Sequence, residues 1–365
     1  MFIREVLILK KSFLNGLILI ILLVIVSYLT GCGGSSSSST SQHPLQRSYK
    51  MGIGPIPRNF GNATEDDWRD MFEKIKETGE ILLAQNPWRD SIETSGQIPE
   101  IIALAGLQKN NYCYLPVYGI NFFDQANGVA ILNTNIDPTN DWSNNDAKQK
   151  YRDVALAICQ VYQPQYLALG IEVNTYYSKH PPEEFDRFVE AYKYIYNEIK
   201  KSYPNTKVFV TFQLEQMKGL GTAVGYLGTP QWDLIAKFAG KLDLIAFTTY
   251  PEVEYNSPNE IPTGYYSEIK QYSTLPVAFT EIGWSSANGF TGLETAKEST
   301  PNQSRFIGVF KDLINGMDVE VVNWAFMHDL PDNGPLTKIG LRKSNGDAKP
   351  GWYDWIKMKN MILKE

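Results

Sequence analysis

Eight short apolar runs, each followed by a segment of helical periodicity, constrain the fold of this chain more than any other feature. Each run has the length of a strand that is buried on both faces. The segment after the first run is typical of the helices, because Trp68, Met71, Phe72 and Ile75 fall on one helical face behind a capping Thr64. The runs lie at residues 49–56, 81–84, 112–118, 166–170, 207–212, 244–247, 277–280 and 319–324.

Strands that alternate with helices predict a parallel sheet in an α/β protein. Eight such units within about 315 residues predict that the sheet closes into a (β/α)8 TIM barrel. The alternative is an open doubly wound sheet, which favours a glycine-rich G-x-G-x-x-G phosphate turn after an early strand. The sequence contains no such turn. We therefore predict one barrel domain, residues 49–365.

The first segment of the chain, residues 1–31, is predicted to be a targeting signal and not part of the fold. It has a basic start, an uncharged apolar run at 17–29, and small residues directly before Cys32. This pattern resembles the bacterial lipoprotein signal. The resemblance implies that Cys32 becomes the lipidated first residue after cleavage. A plain transmembrane anchor is the alternative.

Residues 32–48 are predicted to form a flexible tether, because they contain an unbroken run of serines behind two glycines. Under either interpretation of the signal, the barrel is attached to a membrane and lies outside the cytoplasm. Gly33, and not an aspartate, follows the cysteine. By resemblance, this favours the outer membrane or the cell surface if the cell has two membranes.

Charge and composition argue against several functions. The chain has a net charge of −6 and no basic patch, which argues against nucleic-acid binding. The three histidines (His43, His180 and His328) are scattered, whereas a zinc site would need two or three together. Beyond Cys32, the cysteines Cys113 and Cys159 are compatible with a disulfide or with two buried thiols. We expect a monomer without metal or cofactor.

Two of the apolar runs lead into a glutamate, at Glu172 after the fourth run and at Glu281 after the seventh. Barrel active sites lie at the C-terminal strand ends, and a buried carboxylate is costly without a purpose. Strands four and seven lie nearly opposite each other, so the two carboxyl groups can approach to about 5–5.5 Å. Other residues near the strand ends are candidates for substrate binding: Arg89, Tyr118, Asn174, Gln213, Tyr250, Trp284 and Trp324.

Paired carboxylates in an aromatic cleft suit glycoside hydrolysis, in which one is protonated and the other is ionised. The chain has 21 Tyr, 17 Phe and 8 Trp, which fits a cleft that stacks sugar rings and fits a large core equally well. Three further glutamates compete for these roles. For Glu215, Glu252 and Glu254, however, we favour solvated loop positions.

Short segments at the strand ends resemble clan A of the retaining (β/α)8 glycosidases. Residues 280–285 (TEIGWS) resemble the nucleophile strand, especially that of the family 53 endo-β-1,4-galactanases and of β-1,3-glucanases. Residues 169–174 (LGIEVN) resemble the acid/base strand. Tyr250 with Pro251 resembles the strand-six tyrosine that contacts the nucleophile, and Trp324 matches the strand-eight tryptophan that floors the sugar site. The resemblance covers the barrel in layout but only these segments in residues.

The resemblance implies a retaining β-glycosidase that acts on a β-linked polysaccharide or oligosaccharide, for example a galactan-like glycan. It implies that Glu172 is the acid/base and Glu281 the nucleophile. The clan has an asparagine before the acid/base glutamate, where it binds the sugar 2-hydroxyl. This chain has Ile171 there.

Ile171 supports an alternative of another class, a non-catalytic carbohydrate-binding or surface-assembly lipoprotein on a glycosidase-like barrel. A metal-dependent hydrolase is a remoter alternative, and the scattered histidines argue against it.

Overall fold

The computed structural model describes residues 46–88, 111–112, 114–287, 300–331 and 336–364. The strands within these ranges are β1 (Gln46–Arg47), β2 (Lys50–Ile53), β3 (Ile81–Pro87), β4 (Leu115–Asn121), β5 (Tyr166–Leu169), β6 (Lys207–Phe209), β7 (Thr211–Gln213), β8 (Ile245–Thr249), β9 (Val277–Ile282), β10 (Val319–Trp324) and β11 (Ile362–Leu363).

Nine parallel strands form one sheet, in the order β6-β5-β4-β3-β2-β10-β9-β8-β7. The two edge strands, β6 and β7, are consecutive in the chain and are separated only by Val210. β6 pairs with β5 and β7 pairs with β8. The sheet therefore closes through one interrupted strand, and the barrel has eight strand positions. The predicted (β/α)8 class is confirmed.

Helices cover the outer face of the barrel. Their bounds in the described residues are α1 (Glu65–Thr78), α2 (Asn145–Val161), α3 (Val173–Lys179), α4 (Pro182–Ser202), α5 (Leu214–Met217), α6 (Leu234–Lys237), α7 (Thr300–Leu313) and α8 (Pro350–Lys359). α1 begins with a capping box, in which the Asp67 amide donates to Thr64 Oγ1 (3.3 Å) and the Thr64 amide donates to Asp67 Oδ2 (2.8 Å). The sequence also predicts a helix at residues 265–272, after the sixth run, but this segment forms only a short 3₁₀ helix, Ser267–Gln271.

The core lies between the sheet and these helices. Phe122, just after β4, packs against Phe188 of α4 with ring centroids 4.5 Å apart. Such packing holds the strands in a rigid frame. The C-terminal ends of the strands carry polar side chains at one mouth of the barrel.

The N-terminal boundary of the folded body differs from the sequence prediction. Gln46 and Arg47, which the sequence assigned to the tether, form β1 and pair in parallel with β11. Arg47 is buried and forms an ion pair with Glu80 at 2.5 Å. These residues therefore belong to the folded body, in a two-stranded sheet separate from the barrel sheet. The predicted signal (1–31) and residues 32–45 of the predicted tether, with Cys32, lie outside the described residues.

Three observations bear on the class of protein. Within the described ranges, every helix is too short or too polar to cross a lipid bilayer. The same residues contain no group of His, Cys, Asp and Glu side chains that could hold a metal ion. Cys159 is a buried free thiol, and Cys113 lies outside the described residues.

Candidate active site

Glu172 lies at the mouth of the barrel in a tight turn between β5 and α3. Its backbone is left-handed, with φ of 52°. A non-glycine residue in that region is strained, and such strain is held in place only by its surroundings. The Glu172 amide donates to Thr211 Oγ1 (2.8 Å), and Glu172 Oε1 accepts from Thr248 Oγ1 (2.6 Å). β7 therefore holds the backbone of Glu172, and β8 holds its carboxyl group.

Glu281 is the fifth residue of β9, and both of its carboxyl oxygens are bound. Oε2 accepts a hydrogen bond from the Tyr250 hydroxyl at 2.6 Å. Oε1 accepts from Gln85 Nε2 at 3.1 Å. Tyr250 follows β8 and Gln85 lies on β3, so the carboxylate is held from two sides of the barrel.

The two glutamates converge on one part of the mouth. Thr248 is the register partner of Glu281 in the adjacent strand, and its hydroxyl binds Glu172. Adjacent strands lie about 4.8 Å apart, so the contact with Thr248 brings the Glu172 carboxyl group close to Glu281. Both residues are half-buried. Within the described part of the chain, no lysine or arginine forms an ion pair or hydrogen bond with either carboxyl group.

The surroundings give the two carboxyl groups different properties. Burial, followed by the charge of Glu281, raises the pKa of Glu172 to about 8, while the hydrogen bond from Thr248 opposes the shift. Burial also raises the pKa of Glu281, but the hydrogen bonds from Tyr250 and Gln85 favour its charged form. Because like charges at close range resist simultaneous ionisation, the charge of Glu281 favours the protonated form of Glu172.

We expect the Thr248 hydroxyl to control the titration of Glu172. In Thr248→Val, the ionised carboxylate loses a donor, so its pKa should rise above the wild-type value of about 8. Thr248→Ser keeps the hydroxyl and is the matched control. The measurement is a pH titration of the ¹³C-labelled glutamate carboxyl groups by NMR. A wild-type Glu172 that titrates as an ordinary exposed glutamate would contradict this assignment.

Glu215 is fully buried below the mouth and organises the end of β8. Its carboxylate accepts from Gln213 Nε2 (2.5 Å), Thr249 Oγ1 (2.6 Å), the Tyr250 amide (3.1 Å) and the Tyr265 hydroxyl (2.7 Å). These contacts fix the backbone of Tyr250, which reaches Glu281. The predicted solvated loop position of Glu215 is therefore wrong, because four converging donors stabilise the carboxylate inside the protein.

The other two competing glutamates differ from each other. Glu252 is 1% exposed and accepts from the Ser285 amide at 2.8 Å, so its predicted solvated position is also wrong. Glu254 is exposed, as predicted, and accepts from the Gly221 amide at 3.0 Å. Neither forms a hydrogen bond with Glu172 or Glu281 within the described residues.

Three aromatic residues that the sequence assigned to sugar binding lie in the core instead. Tyr118, Trp284 and Trp324 are each 0% exposed. Their rings pack against side chains of the outer helices or the residue next to one: Tyr118 against Tyr162, Trp284 against Phe306, and Trp324 against Trp355. Side chains alternate between the two faces of a strand, and those of Tyr118 and Trp324 point outward, away from the barrel interior. A sugar at the mouth cannot contact these rings.

Replacing Trp324 should therefore affect stability before it affects binding. We expect Trp324→Ala to lower the free energy of unfolding by ~3–5 kcal/mol, as is usual for a buried tryptophan. Tyr353→Ala, at an aromatic side chain that is 65% exposed, is the control and should change it by less than about 0.5 kcal/mol. Both values come from urea denaturation. Unchanged stability in Trp324→Ala would show that the ring is not part of the core.

Asn174 and Gln213 support the site instead of lining it. Asn174 Nδ2 donates to the Gln213 carbonyl (3.0 Å), and the Gln213 amide donates to Asn174 Oδ1 (2.8 Å). Both residues are at most 1% exposed, so they join α3 to β7 and offer no surface to a ligand. Arg89 lies outside the described residues. Of the predicted substrate-binding residues that are described, Tyr250 alone forms a hydrogen bond with a predicted catalytic carboxylate.

Two residues that form hydrogen bonds with the predicted catalytic carboxyl groups were missed by the sequence reasoning. Gln85 follows the apolar stretch 81–84, but β3 continues to Pro87 and carries Gln85 to the mouth. Thr248 lies within β8, where a threonine is typical of strands and gives no signal of function. A rule that every polar residue in the last two positions of a barrel strand is a site candidate would have found Thr248.

The barrel is similar to solved structures that bear the names of glycosidases. A GH5_18 protein of Bifidobacterium longum is 13% identical with a TM-score of 0.62, over 87% of this chain and 81% of that chain. A GH5_18 variant from Streptomyces cattleya, solved with Manβ1-4GlcNAc, is 13% identical with a TM-score of 0.62, over 86% and 80%. An exo-β-1,4-mannosidase from an Opitutaceae bacterium is 13% identical with a TM-score of 0.63, over 88% and 62%.

At these identities the likeness shows the fold. No protein-family model matches the chain, and no curated protein sequence matches it. The particular resemblance to endo-β-1,4-galactanases stays a prediction.

Proposed function

We propose that this protein is a retaining β-glycosidase that uses Glu172 as acid/base and Glu281 as nucleophile. The observation that carries the proposal is the convergence of two half-buried carboxyl groups with different hydrogen bonds. Glu172 accepts one at a single oxygen, whereas Glu281 accepts one at each oxygen. One has its pKa raised to about 8, as a general acid requires at neutral pH. The other has donors on both oxygens, which favour the ionised form that a nucleophile requires. The likeness to barrels named as glycosidases supports the proposal.

The reaction would proceed by double displacement. In the first step, Glu281 attacks the anomeric carbon and the bond to the leaving oxygen breaks, while Glu172 gives that oxygen its proton. The products are a free alcohol and a glycosyl ester on Glu281. In the second step, Glu172 takes a proton from water, the water oxygen bonds to the anomeric carbon, and Glu281 leaves as a carboxylate. Two inversions retain the β configuration.

The neighbouring side chains would keep each carboxyl group in its role. Tyr250 and Gln85 hold Glu281 in one orientation, since each binds a different oxygen. Thr248 holds Glu172 over the same region, and the strained turn at Glu172 fixes the direction of approach. Such positioning lowers the entropic part of the barrier.

The substrate class that we propose is a β-linked oligosaccharide or polysaccharide. β-Mannosides come first for testing, because one of the similar structures was solved with Manβ1-4GlcNAc and another is named as an exo-β-1,4-mannosidase. Galactan comes next, from the sequence resemblance at 280–285.

A non-catalytic carbohydrate-binding role is the second candidate, and one observation favours it. Ile171, which precedes Glu172, presents no hydrogen-bonding side chain to a sugar. This role predicts that a glycan binds without being cleaved.

The test is hydrolysis of a panel of aryl β-glycosides and β-linked oligosaccharides by the full-length protein in detergent. We expect cleavage of at least one β-glycoside, with the β anomer as the first product by NMR. Glu190→Gln, at an exposed position on α4, is the control variant and should retain full activity. Glycan binding with no cleavage would favour the second candidate, and an α first product would contradict retention.

We also propose that Cys32 carries a lipid that attaches the barrel to the outer face of a membrane. The support is the signal-like sequence of residues 1–31 and the serine-rich segment behind it. Cys32→Ala should move the protein from the membrane fraction to the soluble fraction or leave the signal uncleaved. Normal processing and membrane retention of that variant would contradict the proposal.

A further inference from the structure

Three side-chain positions on consecutive strands line the mouth beside Glu281. Gln85 of β3 and Gly119 of β4 are register partners, and Ile171 follows β5. A Cβ atom placed on Gly119 would lie 3.3 Å from Gln85 Cγ and 3.3 Å from Ile171 Cδ1. The three positions therefore face one common space, which is so narrow that a side chain at position 119 would crowd both Gln85 and Ile171.

Gln85 is the polar member of this group and reaches the nucleophile. It is exposed, whereas Tyr250, the other residue bound to Glu281, is 3% exposed. One amide hydrogen of Gln85 is used in the 3.1 Å bond to Glu281 Oε1. A primary amide has two hydrogens and an acceptor oxygen, so Gln85 can bind a ligand while it holds Glu281.

The chemistry of the attack defines where such a ligand group lies. When Glu281 attacks the anomeric carbon, the adjacent ring carbon and its 2-hydroxyl lie beside the attacking carboxylate. Hydrogen bonds to that hydroxyl strengthen as the transition state forms. Ile171 cannot supply one from its side chain, and its carbonyl already accepts from Gln125 Nε2 at 2.8 Å.

We propose that Gln85 binds the 2-hydroxyl of the substrate sugar while it orients Glu281, and that Ile171 and Gly119 form the apolar wall beside it. This inference rests on the proposed glycosidase function. According to this proposal, the side-chain amide of Gln85 on β3 selects sugars that have a free 2-hydroxyl. It also gives the isoleucine a role in shaping the site, because an apolar neighbour leaves the amide as the polar group that the 2-hydroxyl meets.

The test compares a dinitrophenyl β-glycoside that the wild type cleaves with its 2-deoxy analogue. We expect Gln85→Ala to lower kcat/KM by ~10²-fold on the 2-hydroxyl substrate, the usual effect of losing one transition-state donor. On the 2-deoxy substrate the loss should be less than about fivefold, since only the orientation of Glu281 is affected. Gln160→Ala, at an exposed glutamine on α2, should change neither value.

Gln85→Glu provides a readout that a merely structural role would not change. A carboxyl group beside Glu281 should raise the pKa of the nucleophile, so the acidic limb of the kcat/KM profile should move to higher pH. Equal losses on the two substrates in Gln85→Ala, or no loss on either, would overturn the inference. Failure of the proposed function itself looks different, because the wild type would then cleave neither substrate. In that case, calorimetry with a methyl β-glycoside and its 2-deoxy analogue decides the inference, and equal affinities would overturn it.

Discussion

Glu281→Ala is expected to lower kcat by roughly 10⁴-fold or more while the barrel stays folded. The carboxylate forms the covalent bond in the first step, so its loss removes the reaction path, and nucleophile removal in other enzymes has effects of at least this size. A 10⁴-fold loss corresponds to about 5 kcal/mol of transition-state stabilisation. Steady-state hydrolysis of the best substrate in the β-glycoside panel measures the loss, and circular dichroism reports the fold.

A small external anion tests whether the lost group is a nucleophile. Azide in the space left by Glu281→Ala should attack the anomeric carbon from the same face as the missing carboxylate. With an activated leaving group, the product should be the α-glycosyl azide, of inverted configuration. Glu190→Gln should give only hydrolysis, because its Glu281 is intact. Unchanged hydrolysis in Glu281→Ala would remove this residue from the mechanism.

Glu172→Gln is expected to lose activity in a manner that depends on the leaving group. General acid catalysis contributes about 10²–10⁴-fold. The first step should slow by that factor for a sugar leaving group, which must be protonated, and much less for a dinitrophenolate, which leaves as the anion. Comparing kcat/KM for an oligosaccharide and a dinitrophenyl glycoside measures the difference. Equal losses on both substrates would contradict the acid role.

The raised pKa values of the two carboxyl groups determine how kcat/KM should change with pH. Glu172 must be protonated, so kcat/KM should fall as pH rises through its pKa of about 8. Glu281 must be ionised, so kcat/KM should fall as pH drops through its own raised pKa. The profile is therefore bell-shaped, with values that belong to the coupled pair. In Glu172→Gln the alkaline limb should disappear.

The raised pKa of Glu172, which the proposed acid role requires, lowers the stability of the folded protein. Between the ordinary value of 4.5 and about 8, an unfolded chain has Glu172 ionised while the folded protein keeps it protonated. Folding then takes up a proton, so this residue disfavours folding increasingly as pH rises through that window. Glu172→Gln should be more stable than the wild type at pH 7. Such a gain is typical of a residue kept for function.

The sequence was informative where a costly group interrupts a regular pattern. Eight strand–helix alternations predicted the barrel, because a parallel sheet needs a crossover after every strand. Glu172 and Glu281 stood out because each ends a buried run. Tyr250 could be assigned through resemblance, and the structure places its hydroxyl on Glu281.

The sequence was misleading where function depends on which face of a strand a residue occupies. Trp324 lies at the end of β10, yet its side chain points outward and packs against Trp355. Residue spacing alone does not show which face of the strand the side chain occupies. Glu215 is stabilised by donors up to 50 positions away in the chain, which local patterns cannot show. Gln85 pairs with Glu281 across 196 positions, so only the closed barrel brings them together.

Covalent trapping tests the central assignment most directly. A 2-deoxy-2-fluoro-β-glycosyl fluoride of the sugar that the protein cleaves carries a good leaving group, and its fluorine slows both steps by destabilising the oxocarbenium-like transition state. Glu281 should displace fluoride and accumulate as the glycosyl ester. The expected result is one adduct per chain by mass spectrometry, located on the peptide that contains Glu281. An adduct on another residue, or no adduct with an enzyme that cleaves the parent glycoside, would contradict the account.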